Sequence, residues 1–257
     1  MKLHLFAIAT AAMIGGASLA HAADPLVNLP AGDKIVGNVG FTTQYYARGL
    51  RQTDEGTPAV QGSLEYNHSS GVYLGVWGSN VSDDVIGNGA SVELDFSAGY
   101  RGTIGGPNFT YDLGLVYYYY PGYDDKTRTG AVQYDADWLD FKAAAGYDFG
   151  VAQTMLTVLY SPEYQYESGA SLYIAGDVTI PVGKSFSIFL HGGQQWIDNE
   201  ARFGYKDFFE YGVGVGTNLV GLDLKLQYIA TTLDKSDVPA GSGGERDALV
   251  FTVSKAF

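Results

Sequence analysis

The last residues of the chain, R-D-A-L-V-F-T-V-S-K-A-F at positions 246–257, carry the clearest indication of its fold. Every second residue, counted back from the C-terminus, is larger than the residues between: Phe257, Lys255, Val253, Phe251 and Leu249. A period of two with one large, mostly apolar face is typical of a β-strand. The length also fits the roughly 9–11 residues with which a tilted strand crosses a bilayer. The stretch therefore predicts a membrane-spanning strand.

A strand in lipid cannot stand alone, because each unpaired backbone N–H or C=O group there costs several kcal/mol. The strand must belong to a sheet closed into a barrel, and the rest of the chain should supply further strands. The alternative for this stretch by itself is an edge strand of a soluble β-sandwich. The ending also resembles the C-terminal signal of bacterial outer-membrane barrels, which implies that Phe251, Val253 and Phe257 are read by the barrel-assembly machinery. Lys255 departs from that signal, which usually has an apolar residue there.

The N-terminus predicts export from the cytoplasm. A single charge at Lys2 precedes an apolar run that ends in Ala20-His21-Ala22, which is the pattern of a secretory signal peptide cleaved after Ala22. A transmembrane anchor would need about 20 apolar residues, and the small residues at 15–18 interrupt such a run. We therefore expect a signal peptide at 1–22, a barrel domain at 23–257 and a location in the bacterial outer membrane.

Composition narrows the class of protein further. The chain has no cysteine, so disulfides and thiol chemistry are excluded. It contains 20 Tyr, 13 Phe, 3 Trp and 35 Gly, and Tyr and Trp collect in girdles at the two membrane surfaces of barrels. The formal net charge of −13 argues against a nucleic-acid partner.

Alternation between apolar and polar residues recurs along the chain, most clearly in V-E-L-D-F-S-A-G-Y-R at 92–101. Short and long connections also alternate, as periplasmic turns and external loops do in outer-membrane barrels. The facing of the segment 72–81 stays open, because Tyr73 and Trp77 compete with the aliphatic residues beside them. Twelve strands are predicted, at 35–46, 60–67, 72–81, 92–101, 109–119, 139–148, 152–163, 170–181, 185–196, 206–218, 222–233 and 246–257. The fold class is an all-β, antiparallel, up-and-down transmembrane barrel.

Several stretches together carry a family resemblance: Q-Y-Y-A-R-G-L-R-Q-T-D at 44–54, P-A-V-Q-G-S-L-E-Y at 58–66, S-G-V-Y-L-G-V-W-G-S-N-V at 70–81 and V-E-L-D-F-S-A-G-Y at 92–100. They resemble the TorF family of bacterial outer-membrane porins, over essentially all of the chain after the signal peptide. The resemblance implies a barrel with a porin role. It brings no defined substrate, cofactor or site residue.

The polar faces of the predicted strands should line the lumen. Nine acidic and three basic residues fall there: Glu65, Glu93, Asp95, Arg101, Asp112, Asp140, Lys142, Asp148, Asp177, Glu210, Asp223 and Lys225. An excess of carboxylates favours cations, as acidic rings do in cation-selective pores, so we predict a weak cation preference. The alternative is that Glu93 or Asp95 pairs with Arg101 or Lys142 and the side chains fill a narrow barrel.

A basic pair, Arg48 and Arg51, lies where the first strand enters its external loop. At a pore entrance these arginines could steer an anionic solute or bind lipopolysaccharide phosphate, although solvated loop charges are the plainer interpretation. The acidic loop clusters at 83–84, 124–125 and 198–200 lack the ligand spacing of a calcium loop. We expect no metal site and no cofactor.

A barrel enzyme is the rival class of function. Beyond the signal peptide only His68 and His191 could act as a histidine base, and no nucleophile motif accompanies either. We therefore expect no enzyme, and predict a channel for passive diffusion of small hydrophilic solutes. The alternative is a filled, non-conducting barrel with a structural or surface-interaction role. The solute and the oligomeric state stay open.

Overall fold

The computed structural model describes residues 29–124, 134–234, 237 and 247–257. The predicted signal peptide, the start of the barrel domain and Asp125 of the loop cluster at 124–125 lie outside these residues. Twelve strands form one closed barrel: β1 (Lys34–Thr42), β4 (Ala59–Asn67), β5 (Val72–Asn80), β6 (Val92–Thr103), β7 (Phe109–Tyr119), β8 (Trp138–Asp148), β9 (Gln153–Ser161), β10 (Ser171–Val182), β11 (Phe186–Ile197), β12 (Phe208–Leu219), β13 (Leu222–Thr231) and β14 (Asp247–Ala256). The predicted fold class and strand number are confirmed.

Closure of the barrel joins the first strand to the last. Every barrel strand pairs antiparallel with its neighbours along the chain, and β1 also pairs with β14, where Phe41 faces Val253. Two backbone hydrogen bonds extend this pairing, from Gly37 N to Phe257 O at 2.8 Å and from Phe257 N to Gly37 O at 3.0 Å. No barrel strand is left with an open edge, which is the condition for crossing lipid.

The two faces of the barrel follow the predicted alternation. Apolar side chains such as Leu113, Phe141 and Val213 are exposed on the outside, as expected of a surface that meets lipid. The undecided facing of β5 is settled as well, because Tyr73 and Trp77 are buried in the interior while Val72 and Leu74 are exposed. The interior is therefore lined by the polar faces and by several large aromatic side chains.

The long connections contain structure of their own and lie at one end of the barrel, which is called the external end here because outer-membrane barrels carry their longer loops there. A hairpin of β2 (Tyr46–Ala47) and β3 (Leu50–Arg51) lies between β1 and β4. Helix α1 (Asp83–Ile86) follows β5, a 3₁₀ turn (Gln165–Glu167) follows β9, and helix α2 (Glu200–Phe203) follows β11. In the described part of the chain, no helix is long and apolar enough to span a membrane.

The terminal Phe257 is predicted to matter for assembly. A Cβ atom at Gly37 would lie 2.7 Å from the Phe257 ring, so this ring packs on the backbone of β1 at the closing seam. We expect Phe257→Ala to lower the yield of folded barrel, because it removes apolar contact worth about 1 kcal/mol at the pairing that closes the barrel. Phe149→Ala, in the turn after β8 and exposed, is the matched control. Heat-modifiable gel mobility after refolding measures the yield, and equal yields would contradict the prediction.

Candidate functional site

The Tyr46–Arg51 hairpin folds into the barrel instead of extending into solvent. Its turn residues, Arg48 and Gly49, both have positive φ, 47° and 73°, as the primed turns of two-residue hairpins require. A Cβ atom at Gly49 would lie 2.7 Å from Thr231 Cγ2 and 2.8 Å from Glu210 Cβ. The tip of the hairpin therefore touches the inner wall, and only a residue without a side chain fits there.

Arg48 is the centre of this insertion and is only 5% exposed. Its guanidinium forms a salt bridge with Asp140 on β8, donates to Gln195 Oε1 on β11 at 3.1 Å and donates to the Tyr118 hydroxyl at 3.3 Å. It also lies 5.4 Å and 5.0 Å from the ring centroids of Tyr164 and Tyr173, within cation–π distance. The expectation of a solvated loop arginine is wrong, because the lumen offers this cation a carboxylate and aromatic faces.

Carboxylates outnumber cations around Arg48. Glu93 and Asp95 on β6 are 2% and 3% exposed, and Asp140 is equally buried. Tyr45 donates to Glu93 Oε1 at 3.2 Å. One oxygen of each acid, Glu93 Oε2, Asp95 Oδ1 and Asp140 Oδ1, is buried without a hydrogen-bond partner among the described residues. The site thus keeps buried oxygen acceptors without a hydrogen-bond partner after Arg48 is bound.

Aromatic side chains, here called the external cap, close the barrel above Arg48: Tyr120, Trp138, Tyr164, Tyr166 and Phe203. Trp138 stacks on Tyr118 at 4.0 Å between ring centroids, and Tyr164 contacts both Trp138 and Phe203. The Tyr166 hydroxyl donates to Ile86 O at 2.9 Å, which ties two external loops together. Burial raises the pKa of Tyr164 to about 12, so this phenol stays neutral at physiological pH.

A cavity of about 30 Å³ separates Arg48 from the external cap. It is lined by Arg48 and Glu93 together with Tyr118, Tyr120, Trp138 and Tyr164. A volume of this size holds only a few water molecules. With the hairpin inserted, the outer half of the lumen is therefore packed.

A second group of charges, the periplasmic-side network, fills the other half of the lumen with Glu65, Tyr73, Arg101, Asp112 and Lys142. Arg101 donates to both oxygens of Glu65 at 2.9 and 2.8 Å. Lys142 Nζ and the Tyr73 hydroxyl donate to the two oxygens of Asp112 at 2.7 and 2.8 Å. The sequence offers Glu93 or Asp95 as cross-strand partners for Arg101 and Lys142. The barrel stagger gives them Glu65 and Asp112 instead.

A third group surrounds His191, which lies on the inner face of β11. Its Nδ1 is 2.7 Å from Asp177 Oδ1, and its Nε2 is 3.3 Å from Glu210 Oε1. Tyr173 donates a hydrogen bond to Glu210. His191 thus lies between two acidic side chains, as a histidine in an ion pair does. No serine, threonine or cysteine takes part in these contacts.

Among the remaining predicted residues, Lys225 lines a small cavity together with Asp177 and His191. Asp148 accepts from Gly150 N, and Asp223 accepts from Asn218 Nδ2, so both cap periplasmic turns. Lys225 lies 5.0 Å from the Phe189 ring centroid. Arg51 is half-buried and pairs with Tyr46 as part of the hairpin. Among the described residues no group of three or more His, Cys, Asp or Glu could hold a metal ion.

Several residues of the site were missed from sequence, above all Gly49, Tyr118, Gln195, Trp138 and Tyr164. The one local signal was A-R-G-L at 47–50, in which Arg-Gly separates two short apolar positions as a hairpin turn does. The composition predicts membrane-surface girdles for Tyr and Trp in general, because sequence cannot separate a Tyr facing lipid from one facing the lumen.

Solved structures of bacterial outer-membrane channels share this fold. The KdgM porin covers 86% of this chain and 98% of its own, with a TM-score of 0.55 and 7% identity. A KdgM porin in complex with disordered oligogalacturonate gives a TM-score of 0.56 at 6% identity, over 86% of this chain and 98% of that one. An outer-membrane channel from Pseudomonas putida F1 gives 0.50 at 14%, over 91% and 100%. The chain therefore has the barrel fold of these outer-membrane channels.

Sequence comparison gives the family. No curated protein matches the chain. A family model described as "Bacterial protein of unknown function (Gcw_chp)" matches residues 30–257. This match does not test the resemblance to the TorF family, which stays a prediction. The chain belongs to the Gcw_chp family of bacterial proteins of unknown function.

Proposed function

We propose that this protein is an outer-membrane channel for small hydrophilic solutes whose lumen is closed when the Tyr46–Arg51 hairpin is inserted. The observation that carries the proposal is the Arg48–Asp140 contact inside the barrel. The hairpin forms a two-stranded sheet separate from the barrel, so it can leave the lumen without breaking a barrel strand. Displacement would expose the polar inner face as a path.

Weak cation preference is part of the proposal. Its support is the excess of acidic side chains on the inner face, including Glu93, Asp95 and Asp140, over the cations that pair with them. Carboxylates that lack a full counter-charge lower the energy of a passing cation and raise that of an anion. Oligogalacturonate, which is present in one KdgM porin structure, is a polyanion, and this charge balance disfavours such a solute here.

The test is single-channel conductance of refolded protein in a planar bilayer under a salt gradient. We expect Arg48→Gln to raise the conductance and move the reversal potential toward stronger cation selectivity. Loss of one partner from a buried ion pair costs about 3–5 kcal/mol, and 3 kcal/mol changes the ratio of displaced to inserted hairpin about 100-fold. The same substitution also removes one positive charge from the path.

Arg202→Gln is the matched control for this experiment. It removes the same charge from an exposed position on α2, where Arg202 donates to Glu167 O, and should leave conductance and reversal potential unchanged. The channel proposal fails if Arg48→Gln forms a heat-modifiable, folded barrel that remains silent in the bilayer.

A filled, non-conducting barrel with a structural or surface-interaction role is the second candidate. The observation in its favour is the external cap, in which Trp138 and Tyr164 pack over a lumen whose Tyr73, Tyr118 and Asp112 are at most 1% exposed. In such a barrel the charges would stabilise the fold and the external loops would carry the function. Conductance of Arg48→Gln separates the two candidates.

The remaining parts of the proposal concern location and partners. We propose export by the signal peptide at 1–22, membership of the TorF porins, and insertion by the barrel-assembly machinery through Phe251, Val253 and Phe257. Outer-membrane lipid and lipopolysaccharide would surround the exposed apolar belt. We propose no enzymatic activity, since the contacts of His191 with Asp177 and Glu210 include no nucleophile.

A further inference from the structure

We propose that the cavity between Arg48 and the external cap is part of a binding site for a small organic cation with a guanidinium or amine group. This cation would take the place of the Arg48 guanidinium. Only the consequence for transport, opening of the lumen when the cation displaces the hairpin, rests on the proposed function; binding itself does not.

The contacts of Arg48 define the chemistry of this site. Its guanidinium has a carboxylate from Asp140, an amide oxygen from Gln195 and a phenol oxygen from Tyr118. The rings of Tyr164 and Tyr173 also contact this guanidinium, with their centroids 5.4 Å and 5.0 Å from its carbon atom. Planar donors matched to carboxylate and aromatic faces are the features by which proteins bind guanidinium. These groups form a guanidinium-binding site, here called the receptor. Arg48 occupies the receptor and is held there by the hairpin.

The acceptors that Arg48 leaves unused indicate what a free ligand would add. Glu93 lines the cavity, and its Oε2 atom is buried without a partner among the described residues, as are Asp95 Oδ1 and Asp140 Oδ1. Arg48 thus leaves one oxygen of each of these three buried acids without a hydrogen-bond donor. A solute with a second positive group would satisfy an acceptor that the single guanidinium of Arg48 cannot reach, and Tyr120 and Trp138 would cover its methylene chain.

Arg48, held in place by the hairpin, and a free organic cation would compete for the same receptor. Arg48 is delivered by a hairpin whose strands pair with each other and whose tip fits only because residue 49 is glycine. A free dication has no such constraint but loses translational freedom on binding. The occupied receptor should therefore bind the solute weakly in the wild type and more tightly once the tethered guanidinium is removed.

Isothermal titration calorimetry of refolded protein in detergent tests the site with agmatine, which carries one guanidinium and one amine. We expect Arg48→Ala to bind agmatine about tenfold or more tightly than the wild type, because the tethered competitor is gone. We expect Glu93→Gln to weaken agmatine binding about tenfold, as loss of one charged hydrogen bond implies. Urea, planar but uncharged, is the control ligand and should not bind.

The possible outcomes distinguish failure of the proposed binding site from failure of the proposed channel function. Absence of agmatine binding to folded wild type and folded Arg48→Ala would overturn the inference, even if the bilayer shows conductance. If Arg48→Ala does not fold, equal agmatine affinity of the wild type and Glu93→Gln would overturn it, and a tenfold difference would support it. Agmatine binding to a barrel that never conducts would support the site and reject the proposed function.

Discussion

Gly49→Val should displace the hairpin and open the barrel while leaving every charge in the lumen in place. Gly49 has φ of 73°, and a side chain there would meet Glu210 and Thr231 on the inner wall. Forcing a branched side chain into this packed contact costs about 1–3 kcal/mol, which displacement of the hairpin relieves. Each 1.4 kcal/mol is a factor of about 10, so we expect the displaced fraction to rise about 10- to 100-fold. Single-channel conductance measures the rise.

Gly56→Val is the matched control for this prediction. Gly56 lies in the same external loop with a similar φ of 72°, and a Cβ atom there has nothing within 4 Å. The two variants therefore share the backbone strain and differ in the collision. Wild-type conductance from a folded Gly49→Val barrel would show that the hairpin does not control the path, whatever Arg48→Gln does.

Lys142→Met should destabilise the whole barrel, in contrast to the changes in the hairpin. Lys142 donates to Asp112 at 2.7 Å, and Asp112 is fully buried. Removing one member of a buried pair leaves an uncompensated charge and costs about 3–5 kcal/mol. Arg101 lies 3.8 Å from Asp112 and offsets part of that cost, so we expect unfolding free energy to fall by about 3 kcal/mol. Urea unfolding in detergent measures it.

Two further variants identify the cause of that loss. Lys184→Met removes the same charge from an exposed turn and should change the unfolding free energy little. Lys142→Met combined with Asp112→Asn removes the unpaired charge and should recover part of the stability. If Lys142→Met unfolds at the wild-type urea concentration, the periplasmic-side network is not a stabilising element of the barrel.

The two halves of the lumen therefore have different roles. In the periplasmic half, Glu65, Arg101, Asp112 and Lys142 belong to barrel strands, and their pairing stabilises the wall itself. In the outer half, Arg48 belongs to a hairpin that is not part of the wall. A change at Arg48 or Gly49 is expected to affect access to the lumen, and a change at Lys142 is expected to affect folding.

The amino-acid sequence determined the wall of the barrel. Strand number, antiparallel order and outward facing follow from a period of two, which depends only on residues next to each other in one strand. Leu113, Phe141 and Phe251 could therefore be placed on the outer surface by counting. The same rule placed Glu93, Asp112 and Glu210 on the inner face, because each side chain of a barrel strand points either outward or inward.

The tertiary structure alone decided what fills the barrel. Arg48 is 92 residues from Asp140 and 147 from Gln195, and no local pattern specifies contacts over such separations. Tyr73 was ambiguous for a related reason, because a phenol suits both a membrane surface and a lumen that offers it Asp112. Loop position and ion pairing depend on which strands the stagger of the closed barrel brings together. That stagger exists only once all the strands have paired.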